Sequence, residues 1–278
     1  MSEIAQKSEA VAAYTPISTT KIPGRIKLVG AAIVATLKSS AALIPLILVV
    51  GGLGHLLMSW GAALMVDIIQ PTGQGQLWTS ELTKLGVGII WFIFAKPIVD
   101  ATAIYCWRQI SRGGTVQAGK AWNWAIGRYG RMLKPHAAKF VTVSAGLIIV
   151  VPGVLFGLQY AFVHAISAME EKPTGVLARS QRFTDGRRGR IAMVWLAYVP
   201  WYLFYTVVAT YQVESWGWWA VAGLGAVDVL LLTIMTMVMF SMYEERISDA
   251  QAAKARREAK EAKLTDAKSD GAKDGESE

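Results

Sequence analysis

Four ionisable side chains stand where the surrounding sequence is almost wholly apolar. His55 lies near the middle of the stretch 40–66, Lys96 and Asp100 lie in the stretch 84–106, and Asp228 lies near the middle of 216–242. A charge held in hydrocarbon is costly, so such residues pair with one another or line a path for ions or substrates. Lys96 and Asp100 are four residues apart and share a helix face, although Pro97 distorts the turn between them. A Lys96–Asp100 or a Lys96–Asp228 pair cancels charge that neither partner carries alone at low dielectric cost. His55, Lys96, Asp100 and Asp228 therefore form a candidate intramembrane polar cluster. It reads either as an ion pair that locks helices together or as a midplane path for a proton or substrate, and the first is the simpler reading.

His55 has a second possible chemistry. Gly51, Gly52 and Gly54 clear space beside it, and an imidazole ligates haem iron. The competing reading is close helix packing, which small residues in membrane spans usually serve. The other two histidines, His136 and His164, lack such glycine neighbours. Gly153-x-x-x-Gly157 likewise reads as a packing notch. There is no paired His/Cys metal spacing, no serine nucleophile elbow and no phosphate-cradling glycine loop. No catalytic residue, metal or cofactor is expected, and the chain reads as non-enzymatic. The one cysteine, Cys106, forms no internal disulfide and leaves the redox compartment open.

The elements that must position these residues are five apolar stretches, at 40–66, 84–106, 140–165, 191–212 and 216–242. Each approaches the roughly 20 residues that carry a helix across about 30 Å of hydrocarbon. Backbone groups in lipid must be paired within their own segment, so the stretches are helical. With 53% hydrophobic residues and a mean hydropathy of +0.36, the composition leaves no room for a separate soluble catalytic domain. The expected fold is an all-α polytopic membrane protein with four to five crossings. A polar arm covers 1–20, the membrane domain 21–243 and a charged tail 244–278. In the tail, Gln251 to Lys263 should be helical and Leu264 to Glu278 disordered.

The net charge of +8 is concentrated beside these stretches. Loop 107–139 carries Arg108, Arg112, Lys120, Arg128, Arg131, Lys134 and Lys139 without an acid, and loop 166–190 carries five arginines. Loop 67–83 carries Asp67 and Glu81 and no base. The partners implied are membrane lipids with anionic headgroups rather than nucleic acid. Basic loops prefer the cytoplasm, yet both flank the single stretch 140–165. Its centre reads Val150-Val151-Pro152-Gly153, where Pro removes a donor and Gly adds freedom. Either this stretch is a re-entrant hairpin broken at Pro152 and Gly153, or it is a kinked crossing that leaves one basic loop outside. The charges favour the hairpin, which puts both termini in the cytoplasm. Segments 21–39 and 115–139 have apolar residues at helical spacing among bases and read as amphipathic interfacial helices. The apolar faces are Ile22, Ile26, Val29, Ile33 and Leu37 in the first, and Trp122, Trp124, Ile126, Tyr129 and Met132 in the second.

The second half carries a recognisable pattern. Leu147 to Leu155 form an apolar run through Pro152-Gly153, followed by a helix, Glu170-Glu171, Leu177-Ala178-Arg179-Ser180 and Phe183-Thr184-Asp185-Gly186-Arg187-Arg188. Over roughly 115–200 this resembles the membrane-domain superfamily of the YciC-like inner-membrane proteins, also found fused to some glycerophosphodiester phosphodiesterases. Val176 and Gly189 depart from that pattern, and no phosphodiesterase domain is present. The resemblance implies a bacterial inner-membrane location and carries no catalytic activity.

Within this motif Thr174 is a candidate cap for a short helix that turns Val176, Leu177 and Phe183 to lipid or protein. Arg179, Arg182, Arg187, Arg188 and Arg190 are candidate headgroup contacts, against the simpler reading of an ordinary positive-inside loop. The expected function is envelope or lipid homeostasis, or membrane-embedded scaffolding, with protein partners reached through the tail. A small transporter or channel using the midplane charges, and an accessory subunit of a larger membrane complex, are the alternatives.

Overall fold

A computed structural model describes residues 25–70, 72–170, 174–211 and 213–273. The arm 1–20, residues 21–24, Glu171 and residues 274–278 lie outside the described residues. Among the described residues every regular element is helical. The protein is an all-α polytopic membrane protein: Ser40–Ile69, Gln74–Ser111, Val151–Met169 and Gly217–Glu258 are each long and apolar enough to cross a bilayer.

Helix α1 (Arg25–Lys38) buries Leu28, Ala32 and Ala35 on one face and leaves Val29, Ile33 and Leu37 exposed. The sequence reading gives Val29, Ile33 and Leu37 to the face of an interfacial helix and names no face toward the bundle. The structure packs the small residues against the bundle, because alanines let helix axes approach closely. The exposed aliphatic side chains are then free to meet lipid.

Ser40–Ile69 is one span in three pieces: α2 (Ser40–Ile47), a π-helical segment (Leu48–Leu53) and α3 (Gly54–Ile69). The π segment disturbs the regular hydrogen-bond ladder, and the Val50 carbonyl accepts from Trp91 Nε1 at 2.8 Å. A Cβ added at Gly54 would lie 2.1 Å from that same indole nitrogen, so Gly54 makes room for the Trp91 ring.

Helix α4 (Gln74–Ser111) is central. Val99, Asp100, Ala101, Thr102, Ala103, Ile104 and Cys106 are all buried, so this part is enclosed on every side. It packs against α3, α1 and α5 (Ala118–Leu147).

Helix α5 corrects two boundaries. The amphipathic segment 115–139 and the first part of stretch 140–165 are one continuous helix, closed at Leu147. Its buried face is Ala121, Ala125, Met132 and His136, while Ile126 is exposed. The chain breaks at Ile148–Val150 and restarts as α6 (Val151–Gln159), with Pro152 in the first turn where its missing N–H costs nothing. Val150 takes a positive φ of 61° to make the turn. A Cβ on Gly146 would fall 2.8 Å from the Gly153 nitrogen, so the two glycines let α5 and α6 meet at the break. The tip is bare hydrocarbon: Ile148 is 85% and Ile149 72% exposed.

The return limb continues as α7 (Val163–Met169). Arg128 Nε and Arg131 Nη2 of α5 both donate to the Ala168 carbonyl, at 3.0 and 2.9 Å. Two guanidiniums thus satisfy the C-terminal end of α7. They also place the end of α7 beside the first half of α5, so the chain goes out and comes back.

Helix α8 (Val176–Thr184) follows, its N-cap Gly175 in the left-handed region at φ 59°; Thr174 does not cap it. Val176, Ser180 and Thr184 form its buried face, while Leu177 and Phe183 are only half-buried. Ser180 Oγ donates to the Gln159 carbonyl at 2.8 Å and accepts from the Phe162 N–H at 3.2 Å. This one hydroxyl closes the joint between α6 and α7.

Helix α9 (Arg188–Tyr211) corresponds to the fourth apolar stretch, and α10 spans Val213–Lys273 with non-helical backbone at Gly217. The bundle comprises Pro23–Phe240, and Ser241–Glu278 falls in a separate compact unit. In that unit the helix continues to Lys273, past the Lys263 end expected for it, where the Ala-, Lys- and Glu-rich composition still favours helix.

Candidate intramembrane polar site

The four ionisable residues resolve into two clusters. Lys96 pairs with Asp100 and not with Asp228, as their shared face on α4 allows. Of this pair's side chains, Lys96 is 6% exposed and Asp100 fully buried. One turn of helix supplies both charges, and Pro97 between them does not prevent the contact.

Asp100 is also held by two other helices. His164 Nδ1 of α7 lies 2.6 Å from Oδ2, and Thr236 Oγ1 of α10 lies 2.7 Å from Oδ1. His164 Nε2 in turn meets His136 Nδ1 of α5 at 2.7 Å, their ring centroids 4.8 Å apart. The carboxylate only accepts, so the neutral His164 ring carries its proton on Nδ1 and accepts at Nε2. His136 must then donate from Nδ1, which leaves its own Nε2 as an acceptor. That nitrogen is buried and has no partner among the described residues. The three side chains thus stand in series, His164 in ion-pair contact with Asp100 on one side and hydrogen-bonded to His136 on the other.

Beside this chain lies a cavity of about 260 Å³ within the bundle. Its polar lining residues are Lys96, Lys139, His136, His164 and Thr236, which gather around Asp100, and Ser144 further along α5. Its remaining walls are mostly hydrocarbon and aromatic, including Phe92, Phe140, Leu147, Trp195 and Met239. Lys139, Val143 and Leu147 follow at four-residue intervals on α5, so the lined face extends about 12 Å along the helix. Leu147 belongs to the exposed hairpin tip. Among the described residues Lys139 makes no ion pair or hydrogen bond. It feels the Asp100 charge, which Lys96, His164 and Thr236 already engage, and the repulsion of Lys96.

The second cluster is separate. Asp228 of α10 accepts from Tyr198 Oη at 2.5 Å and Trp201 Nε1 at 3.0 Å, both on α9. His55 packs edge-on to Tyr205 with centroids 5.5 Å apart, and its Nδ1 donates to the Gly51 carbonyl at 2.6 Å. A Cβ at Gly51 would lie 2.3 Å from the Gly225 oxygen, and one at Gly225 would lie 2.4 Å from His55 Nδ1. Gly51 thus makes room for helix α10 at its contact with the first span, and the packing reading accounts for this glycine.

The basic turn is partly neutralised by the protein itself. Arg179 pairs with Glu170, and its guanidinium carbon lies 5.9 Å from the Phe183 ring centroid. Arg188 Nη2 pairs with Asp185 at 2.6 Å. Arg182 is exposed, while Arg187 and Arg190 are half-buried and engaged within the protein. Burial raises the Glu170 carboxyl above its ordinary value, against the opposing pull of Arg179.

Sequence reasoning missed His136, His164, Lys139 and Thr236. The histidines were compared for glycine neighbours, a criterion suited to a macrocycle and irrelevant to a hydrogen-bond chain. Lys139 was counted as a loop charge. Reading 118–147 as one helix would have put His136, Lys139 and Val143 on one face, three and four residues apart. No sequence signal joins His164 or Thr236 to them.

A scan against models of known families and searches of curated proteins and of solved structures find no match to this chain.

Proposed function

We propose that this protein is a non-enzymatic lipid-handling protein of the bacterial inner membrane that holds a lipid-like amphiphile within its helix bundle. The observation that supports this reading is the cavity, whose walls join the polar group Lys96, Lys139, His136, His164 and Thr236 to a mostly apolar lining that also holds Ser144 and the Trp195 indole N–H. A site that binds a small soluble metabolite gains little from a long hydrocarbon wall. A site for an amphiphile needs one, because burying chain methylenes supplies most of the binding energy, about 0.8 kcal/mol for each. The inner-membrane location is carried over from the resemblance of residues 115–200 to the YciC-like membrane domains, and the basic loops favour a hairpin tip in the bilayer with both termini cytoplasmic. Purification of the full chain in mild detergent, followed by native mass spectrometry, tests the reading. The expected result is a retained lipid of defined mass, and the reading fails if lipid is lost as readily as from an unrelated membrane protein.

The chain Asp100–His164–His136 favours a second reading, a proton-linked transporter. Three groups in series with ordered donors and acceptors can pass a proton from the cavity toward the carboxylate. Reconstitution in vesicles with an internal pH dye decides it: proton flux that disappears in His164→Asn supports transport, and absence of flux in the intact protein excludes it.

A further inference from the structure

We propose that the polar end of the cavity is a headgroup site for a phosphate-bearing lipid whose headgroup also carries a hydroxyl or acid proton. This deepens the lipid-binding reading and rests on it.

The charge balance comes first. Lys96 and Asp100 cancel, and Asp100 is further engaged by His164 and Thr236. Lys139 adds a second ammonium to the same cavity wall with no carboxylate in ion-pair range among the described residues. The cavity end therefore carries one uncompensated positive charge in a low-dielectric setting, where an anion in contact interacts strongly. Hydrogen-bond capacity comes second. His136 lines the cavity with a buried Nε2 that accepts and has no partner among the described residues. A buried acceptor left unmet is costly, so the complementary ligand presents a donor.

These two demands select among amphiphiles. A phosphate monoester lipid supplies an anionic oxygen and an acid proton, and a phosphodiester with a polyol headgroup supplies the anion and a hydroxyl. A fatty-acid carboxylate satisfies Lys139 alone. Phosphatidylcholine brings a cation toward Lys139 and no donor. The apolar face past Val143 to Leu147 then takes the start of an acyl chain. A volume of about 260 Å³ suits a headgroup with part of one chain; it is too small for a whole diacyl lipid.

The test uses the full-length protein, delipidated in mild detergent. It is titrated separately with phosphatidate, phosphatidylglycerol, oleate, phosphatidylcholine and inorganic phosphate, and bound species are counted by native mass spectrometry. Phosphatidate and phosphatidylglycerol should bind on the order of 10-fold more tightly than phosphatidylcholine, the scale of one charge-assisted hydrogen bond. Lys139→Gln should weaken that preference, leaving only the part owed to His136, and Lys139→Arg should keep it. Gly157 lines the cavity, and nothing lies near a Cβ placed there, so Gly157→Phe should fill the apolar arm and block lipid binding without unfolding the bundle.

A preference unchanged in Lys139→Gln, or oleate bound as tightly as phosphatidate, overturns the headgroup assignment. If the intact protein shows no preference but Gly157→Phe still blocks lipid, the headgroup site is lost and the lipid-binding reading survives. If Gly157→Phe changes nothing, both fall. Inorganic phosphate that binds the intact protein as tightly as phosphatidate marks a free-anion site and rejects the amphiphile.

Discussion

His164 Nδ1 stands 2.6 Å from Asp100 Oδ2, on helices whose residues are 64 positions apart in the chain. This contact joins the return limb of the hairpin to the central helix and turns a local Lys96–Asp100 pair into a four-helix junction. Its partners determine what each substitution should do.

Lys96→Met should destabilise the protein by about 3–5 kcal/mol, because it strands a buried carboxylate. Lys96→Met with Asp100→Asn should recover most of that loss. Lys96→Met with Asp228→Asn should not, since Asp228 bonds to Tyr198 and Trp201 in another cluster. Thermal unfolding of the single and double variants in one detergent measures both comparisons.

Tyr198→Phe removes a donor from the half-buried Asp228 carboxylate. The expected cost is about 1–3 kcal/mol, the range for leaving a charged acceptor short of a partner. Thermal unfolding of Tyr198→Phe beside the parent protein in one detergent measures it.

The first span should show an ordered sensitivity to added methyl groups. Gly51→Ala would drive a Cβ to 2.3 Å from the Gly225 carbonyl oxygen, and backbone has no rotamer by which to yield. Gly52→Ala meets the Ala222 oxygen at 3.4 Å, ordinary contact. Gly51→Ala should lower stability by about 1–3 kcal/mol or more, and Gly52→Ala should be close to neutral. Equal effects would contradict the packing of the first span on α10.

The tip residues Ile148 and Ile149 should lie in hydrocarbon. Ile149→Lys should raise the insertion cost by roughly 3 kcal/mol and reduce the amount of protein in the membrane fraction. Single cysteines at Gln117 and Thr174, with Cys106 replaced, should be shielded from an impermeant reagent added outside intact cells. Labelling of only one of them would break the hairpin topology.

Arg179→Gln should make stability more dependent on pH. Burial already holds the Glu170 carboxyl above its ordinary value, and removing the guanidinium raises it further. A carboxyl that holds its proton more tightly when folded favours the fold at low pH. That contribution is lost as pH rises from the ordinary carboxyl value through the raised one. Arg179→Gln should therefore lose more stability than the parent protein as pH rises above the ordinary carboxyl value of about 4. Adding Glu170→Gln should abolish the difference, as paired unfolding curves would show.

Much of this molecule is written along the chain, where the physics is local. Apolar length makes the spans helical because lipid offers the backbone no other partner. Pro152 shows that a helix starts close by, because its missing N–H is tolerated only in a first turn, while the break itself falls at Ile148–Val150. Lys96 and Asp100 meet because four residues is one turn. Helix packing decided the rest. Val29, Ile33 and Leu37 form the apolar face of α1 by size, yet the bundle takes Ala32 and Ala35, since close approach in a membrane rewards small side chains. Asp228 is as central in its stretch as Lys96 is in its own, but the rotation of α10 turns Asp228 toward Tyr198 and Trp201 and presents Thr236 to Asp100. His136 and His164 come together only because the chain reverses at Ile148–Val150. Their distance is set by how two limbs of a hairpin pack, a quantity that no spacing along either limb contains.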